Sequence, residues 1–205
     1  MKDLVVLVAD KDMEFTLRGL LSRYRSLDIS PLTYDIFLEP EHDPACALRG
    51  VEFLRNFILQ YEHAILMFDH EGSGKENVER GELQKKLNLD LKNCGWGDRA
   101  QSIVLEPELE IWVWSNSSHV DDVIGWKNRE PKLREWLVQE GWLKPPKNKP
   151  DRPKEAFEKA LREAGRPRSA SLFKRLAESV SLLGCEDIAF GEFCSTLREW
   201  FPAKT

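Results

Sequence analysis

The sequence predicts an α/β fold, a mostly parallel sheet flanked by helices, with a helical C-terminal subdomain. Three observations carry that reading. Short runs that are apolar almost throughout alternate with amphipathic stretches over the first 125 residues. Those runs lack the polar alternation of a half-exposed strand, which is the pattern of strands covered on both faces by helices. From about Trp126 onward the strand patterns stop and only helical periodicity remains. The boundary therefore falls between 1–125, the α/β domain, and 126–205, the helical subdomain.

The first strand is Leu4–Ala9, an unbroken apolar run. Met13, Leu17, Leu20, Leu21, Tyr24 and Leu27 then recur at helical spacing, with Asp12 as the N-cap. Pro31 marks a turn before the second strand, Thr33–Leu38. Ala47, Leu48, Val51, Leu54 and Ile58 line the next helix. His63–Phe68 is the third strand, and it runs into the polar, glycine-rich loop Asp69–Gly74. A charged helix from about Lys75 to Leu91 and a fourth strand, Ser102–Leu105, complete the alternation. Helices follow at Leu133–Val138, Pro153–Ala164, Ala170–Leu182 and Phe190–Trp200. Gly141–Asp151, with three prolines, separates the first of these from the rest.

Composition excludes several classes. A chain of 205 residues can bury a core without staples, and its seven Trp and ten Phe are too many for a disordered one. Leu4–Ala9 is far too short to cross a bilayer, so no membrane association is expected. Lys2 and Asp3 lead straight into the first strand with no signal-peptide pattern. Cys46, Cys94, Cys185 and Cys194 share no CxxC spacing, so they read as small buried hydrophobes of a soluble cytoplasmic protein. The charge is uneven. Residues 1–125 hold 13 Lys and Arg against 23 Asp and Glu, and residues 126–205 hold 17 against 12. An acidic half beside a basic half suits a protein that holds a metal in one place and an anion in another, although ordinary solvated surfaces give the same counts.

In open α/β sheets ligands bind beyond the carboxyl ends of the strands. Strand one ends in Asp10, strand three in Asp69, and Glu71 stands two residues on. Neighbouring parallel strands would bring these carboxylates together, and Mg²⁺ or Mn²⁺ with oxygen ligands would relieve their repulsion. Asp10 alone reads first as a helix cap; joined to Asp69 and Glu71 it reads as a ligand. Glu106, Glu108 and Glu110 follow strand four at the same edge. Of these Glu110, just ahead of Trp112, is selected as a further metal ligand. Gly72-Ser73-Gly74-Lys75 fails as a phosphate-binding P-loop, since Asp69 stands where the first Gly is needed and Glu76 where Ser or Thr is needed. Its glycines instead suit a turn beside an ion, with Lys75 near an anion. His42, His63, His70 and His119 share no ligand spacing and read as surface or turn residues. Trp96, in Cys-Gly-Trp-Gly, reads as a loop residue able to stack on a base. Residues 144–175 carry 11 basic to 4 acidic side chains. Lys154, Arg166 and Arg168 there, with Lys75, are the candidate phosphate contacts of a nucleic-acid partner.

An apolar strand ending in an acid at Asp10, followed by Phe-Asp-x-Glu-Gly at 68–72, resembles the Toprim domain of topoisomerases, primases, small nucleases and the OLD nucleases of phage defence. The likeness is closer to small Toprim-like proteins of bacterial defence loci related to RloB. It includes Glu110-Ile-Trp112 after the fourth strand, Pro153-Lys154 at the entry to the helical tail, and the run from Cys185 to Phe190. On these residues the chain is most similar to a component of the methylation-associated defence system. The resemblance implies a Mg²⁺- or Mn²⁺-dependent nuclease with Asp10, Asp69 and Glu71 as catalytic residues. It also implies a nucleic-acid substrate and other defence-system subunits as partners, and leaves a homo-oligomer open. Two positions depart from the Toprim pattern: Asp10 replaces a Glu, and Glu71 replaces the second Asp of a DxD pair. Those departures favour an alternative, a non-catalytic Toprim-fold subunit for assembly or sensing. Val8–Asp12 with its following helix also resembles a signalling receiver, against which stand the missing Ser or Thr after strand four and the late position of Asp69.

Overall fold

In the computed structural model, which describes residues 1–115, 117–182 and 185–203, the chain forms a four-stranded, all-parallel sheet covered by helices. The strands are β1 (Lys2–Val8), β2 (Tyr34–Leu38), β3 (Tyr61–Asp69) and β4 (Ala100–Leu105), in the order β2-β1-β3-β4. Residues 4–8 of β1 and 64–68 of β3 are fully buried, because both strands are central and both faces are covered. Val8 pairs with Met67 and Asp69 with Leu105, so the ends of β1, β3 and β4 lie level.

Successive residues of β3 face opposite layers. Leu66 meets α3 (His42–Arg55), whose Gly50 has no room for a Cβ against it. His63, of opposite parity, stacks on Trp200 of α9 (Ile188–Trp200) at 4.3 Å between ring centres. α4 (Arg80–Leu91) packs on β4 beside α3, and α1 (Lys11–Ser22) packs on β1 and β2. The chain leaves β1 toward β2 and leaves β3 toward β4. The gap between the ends of β1 and β3 is therefore the topological switch point of the sheet.

Several boundaries move. Asp10, not Asp12, caps α1, its carboxylate accepting the Met13 N–H at 2.8 Å. The helix predicted to reach Leu27 breaks at Arg23, and α2 (Tyr24–Leu27) follows as a separate turn. Arg23 turns its guanidinium onto the Ala177 and Val180 carbonyls instead. α4 begins at Arg80 rather than Lys75, because Gly72 and Gly74 adopt positive φ and Glu79 supplies the cap. α3 starts before Ala47 and ends before Ile58. A 3-10 turn (Leu109–Trp112) and α5 (His119–Ile124) are additional.

The helical tail comprises α6 (Leu133–Gln139), α7 (Pro153–Glu163), α8 (Ala170–Ser179) and α9. The 125/126 boundary marks a change of secondary structure and not a break in the core. Leu17 and Leu20 belong to one buried cluster with Phe157, Phe173, Leu176 and Phe193. α8 lies on α1, α7 on the 3-10 turn and α9 on β4. No helix among the described residues is long and apolar enough to cross a membrane.

A close helix–helix contact lies at Gly19 of α1, where an added Cβ would lie 2.7 Å from the Ala177 Cβ and 2.7 Å from the Lys174 carbonyl. Gly19→Ala gains helix propensity, about 1 kcal/mol, but must push the backbones of α1 and α8 apart. The expected net effect is a loss of about 1–3 kcal/mol, the usual cost of overpacking, read as a lower urea midpoint. A neutral or stabilising result would mean that α8 is not seated on α1 as described.

Candidate metal centre

Asp69 closes β3 at the switch point, 9% exposed. Its backbone N–H donates to Asp43 Oδ1 at 2.8 Å, in the first turn of α3, and its own Oδ1 accepts the Leu109 N–H at 2.9 Å. The second bond ties β3 to the 3-10 turn after β4. That turn carries Glu108 and Glu110, 5% and 2% exposed. Asp69, Glu108 and Glu110 each offer a carboxylate oxygen within 4.8 Å of the others, and they form the metal-capable cluster found among the described residues.

Two cations from the tail meet these acids. Lys154, in the first turn of α7, donates its backbone N–H to Glu108 Oε1 at 3.1 Å, and its Nζ stands 3.6 Å from Oε2. Arg168, between α7 and α8, pairs with Glu110 at 2.7 Å and with Asp12 at 2.6 Å. Asp69 thus commits one oxygen to the Leu109 N–H, and Glu108 one to the Lys154 N–H. Oxygen donors of this kind suit a hard divalent cation.

The charges are crowded. Burial pushes the Asp69 carboxyl well above its ordinary value, and Asp43, Glu110, Asp10 and Glu108 add to it. Burial also raises Glu110, to about 7, with Arg168 opposing and Glu108 reinforcing. Burial raises Glu108 against the pull of Lys154, and raises Asp43 and Asp12. Lys154 loses some charge stability to burial but is held above its usual value by Glu108 and Glu110.

Of the residues chosen from the sequence, the structure brings Asp69 and Glu110 together. Asp10 and Glu71 are not in the cluster. Asp10 is engaged in capping α1, though its charge still reaches Asp69. Glu71 is exposed: the His70 N–H makes the last ladder bond, to Leu105 O, and the Glu71 N–H then goes to Pro107 O as the chain turns out of the sheet. It is His70 that is buried, its Nε2 3.0 Å from Val78 O and its Nδ1 3.6 Å from Glu106. His70 therefore pins the glycine-rich loop and is not a surface residue. Lys75 lies in that loop, with its backbone N–H on Ser73 Oγ. Arg166 is exposed beside Gly125, whereas Lys154 and Arg168 hold the protein's own carboxylates. Trp96 is buried, with Nε1 on the Leu54 carbonyl, and is not placed to stack on a base. Cys46 and Cys194 are buried, with thiols raised by desolvation, while Cys94 and Cys185 are half-buried.

Sequence reasoning passed over Glu108, Asp12 and Asp43 as site residues. The triplet Glu106, Glu108, Glu110 signalled the first; nothing local distinguishes Asp43 from a helix-start acid. No family model matches the chain, and no curated protein or solved structure is significantly similar to it.

A carboxyl whose pKa is higher folded than unfolded binds its proton more tightly in the native state. It therefore costs stability as pH rises from its unfolded value through its folded one. Asp69→Asn keeps the acceptor for Leu109 and removes the charge. In metal-free protein it should raise the melting temperature at pH 8, and raise it by progressively less toward pH 4. A destabilising effect at pH 8 would show that the Asp69 charge is already compensated.

Proposed function

We propose that the chain is a Mg²⁺- or Mn²⁺-dependent phosphodiesterase of nucleic acid, a Toprim-like component of a bacterial anti-phage defence system. The observation that supports it is the convergence of Asp69, Glu108 and Glu110 at the switch point of a parallel sheet, with Lys154 and Arg168 beside them. Asp69, Glu108 and Glu110 would hold the cation. A bound divalent ion supplies Lewis-acid stabilisation of charge on phosphoryl oxygens. Lys154 and Arg168 orient a phosphodiester by offering positive charge at the edge of the carboxylates. Asp10, at the end of β1 and fixed through the Met13 N–H, is the proton acceptor outside the cluster. The likeness at Glu110-Ile-Trp112 and Pro153-Lys154 is what supports placement among defence proteins.

A non-catalytic subunit is the second reading, favoured by one specific observation. Lys154 and Arg168 already balance Glu108 and Glu110 without any metal. The site is thus able to serve as a structural junction between the sheet and the tail.

Plasmid, single-stranded DNA and RNA incubated with the protein in Mg²⁺ and in Mn²⁺ separate the two. The nuclease reading expects metal-dependent cleavage, lowered by at least about a hundredfold in Asp69→Asn, the loss typical of one electrostatic group in a transition-state site. Cleavage of equal rate in Asp69→Asn is contamination. Absence of cleavage on all three substrates favours the junction.

A further inference from the structure

Arg168 occupies the place a cation would take. Its Nη2 lies 2.6 Å from Asp12 Oδ2 and 2.7 Å from Glu110 Oε1, so one nitrogen is shared by carboxylates of two different elements. Its guanidinium carbon stands 5.3 Å from the centre of the Phe173 ring. The Glu110 side chain is 2% exposed and that of Arg168 33%. The acid is the fixed partner, and the guanidinium is the partner with room to leave.

The chain that carries Arg168 permits that exit. Residues 166–169 are neither helix nor strand, and Gly165 turns the backbone out of α7 at φ +67°, a conformation side chains disfavour. Both ends of the connection are anchored, by the Arg166 N–H on the Leu161 carbonyl at 2.8 Å and by the seating of α8 on α1. Arg168 Nη1 also stands 3.9 Å from Glu158 Oε1 on α7, so a guanidinium that leaves Glu110 keeps a carboxylate beside it on the solvent side. A divalent ion brings twice the charge to carboxylate oxygens, at about 2.0–2.1 Å for Mg²⁺, and is the competitor able to displace it.

We infer that Arg168 is a displaceable plug in the carboxylate site. In the metal-free protein its guanidinium bridges Glu110 and Asp12, and a divalent cation taken up by Asp69, Glu108 and Glu110 drives it off Glu110 toward solvent. Metal loading is thereby coupled to the release of a guanidinium at the mouth of the site. The inference rests on the metal-binding reading above, and its test separates the two.

Mn²⁺ alone is titrated by calorimetry into the full chain and into Arg168→Gln, Arg166→Gln and Asp69→Asn. Arg168→Gln should bind Mn²⁺ about ten- to a hundredfold more tightly, the factor carried by one or two charge-assisted hydrogen bonds. Arg166→Gln removes the same charge from an exposed position two residues away, where screening should keep the change within about threefold. Weaker binding by Arg168→Gln overturns the plug and makes Arg168 an orienting partner of Glu110. Equal affinities for the two variants also overturn it. Binding lost only in Asp69→Asn, with no gain in Arg168→Gln, leaves the metal site standing and removes the plug. No binding by any chain removes both. A measurement on the unaltered protein guards against misfolding of the variant: phenylglyoxal should modify Arg168 faster with Mn²⁺ than without, followed by mass spectrometry. Equal or slower modification overturns the proposal.

Discussion

The carboxylate of Asp69 is the group around which the rest of the molecule has to be arranged. It ends a central strand, where the chain has nowhere to put it except among buried atoms, and four further acids act on it from α1, α3 and the turn after β4. Like charges in a poorly hydrated crevice repel strongly, since the effective dielectric is well below that of water. Protonation relieves some of this, as the raised carboxyls of Asp69 and Glu110 show. Counter-cations relieve more, and among the described residues those paired with Glu108 and Glu110 come from the tail. Both Lys154 and Arg168 come from beyond residue 126.

The tail that supplies them is folded back over the sheet. Its attachments are of two kinds. Apolar contact seats α8 on α1 and α9 on β4, with Arg23 fastening the end of α8 through two carbonyls. Directed hydrogen bonds then set the register near the acids. Trp112 donates to Asp187 at 2.8 Å and packs edge-on against Phe190, while Trp114 donates to the Pro153 carbonyl at 2.9 Å. Trp112 and Trp114 flank the end of the 3-10 turn that holds Glu108 and Glu110. The same short segment therefore presents acids to the site on one side and aromatic anchors to the tail on the other. Two indole N–H groups that would be costly to leave unpaired fix how the turn meets α7 and α9.

Period and burial made the sheet legible. Leu4–Ala9 and His63–Phe68 are apolar without alternation, and both prove to be central strands. The neighbouring positions of Asp10 and Asp69 followed from that alone. Reading Glu71 as a partner of Asp69 required both side chains to keep to one side of a segment that the sequence itself marks as a glycine-rich loop. The loop instead turns outward: the His70 amide completes the ladder on Leu105, Pro107 takes the Glu71 amide, and Gly72 follows at positive φ. Trp96 was misplaced for a related reason. Flanking glycines marked it as a loop residue, but it closes a short π-helical turn, Lys92–Trp96, that carries it inward onto the Leu54 carbonyl, and a local pattern does not reveal which way such a turn faces. Asp12 and Asp43 were legible as helix-start acids and not as members of a charge network, because their partners lie more than twenty residues away.

The charge asymmetry of the sequence takes on a more specific meaning in this light. Counted along the chain, an acidic N-terminal stretch and a basic C-terminal one suggest two external ligands, a metal and a polyanion. In the folded molecule much of that opposition is internal. Arg168 and Lys154, two of the residues that most resembled phosphate contacts, are engaged with Asp12, Glu110 and Glu108. A divalent cation placed among those acids would make the two basic side chains surplus to the protein's own balance, and surplus positive charge at the edge of a cation site is what a phosphodiester requires. The metal and the anion are then not independent ligands of separate halves. On the proposed reading the first would create the vacancy in charge pairing that the second fills, with the tail as the element that links the two.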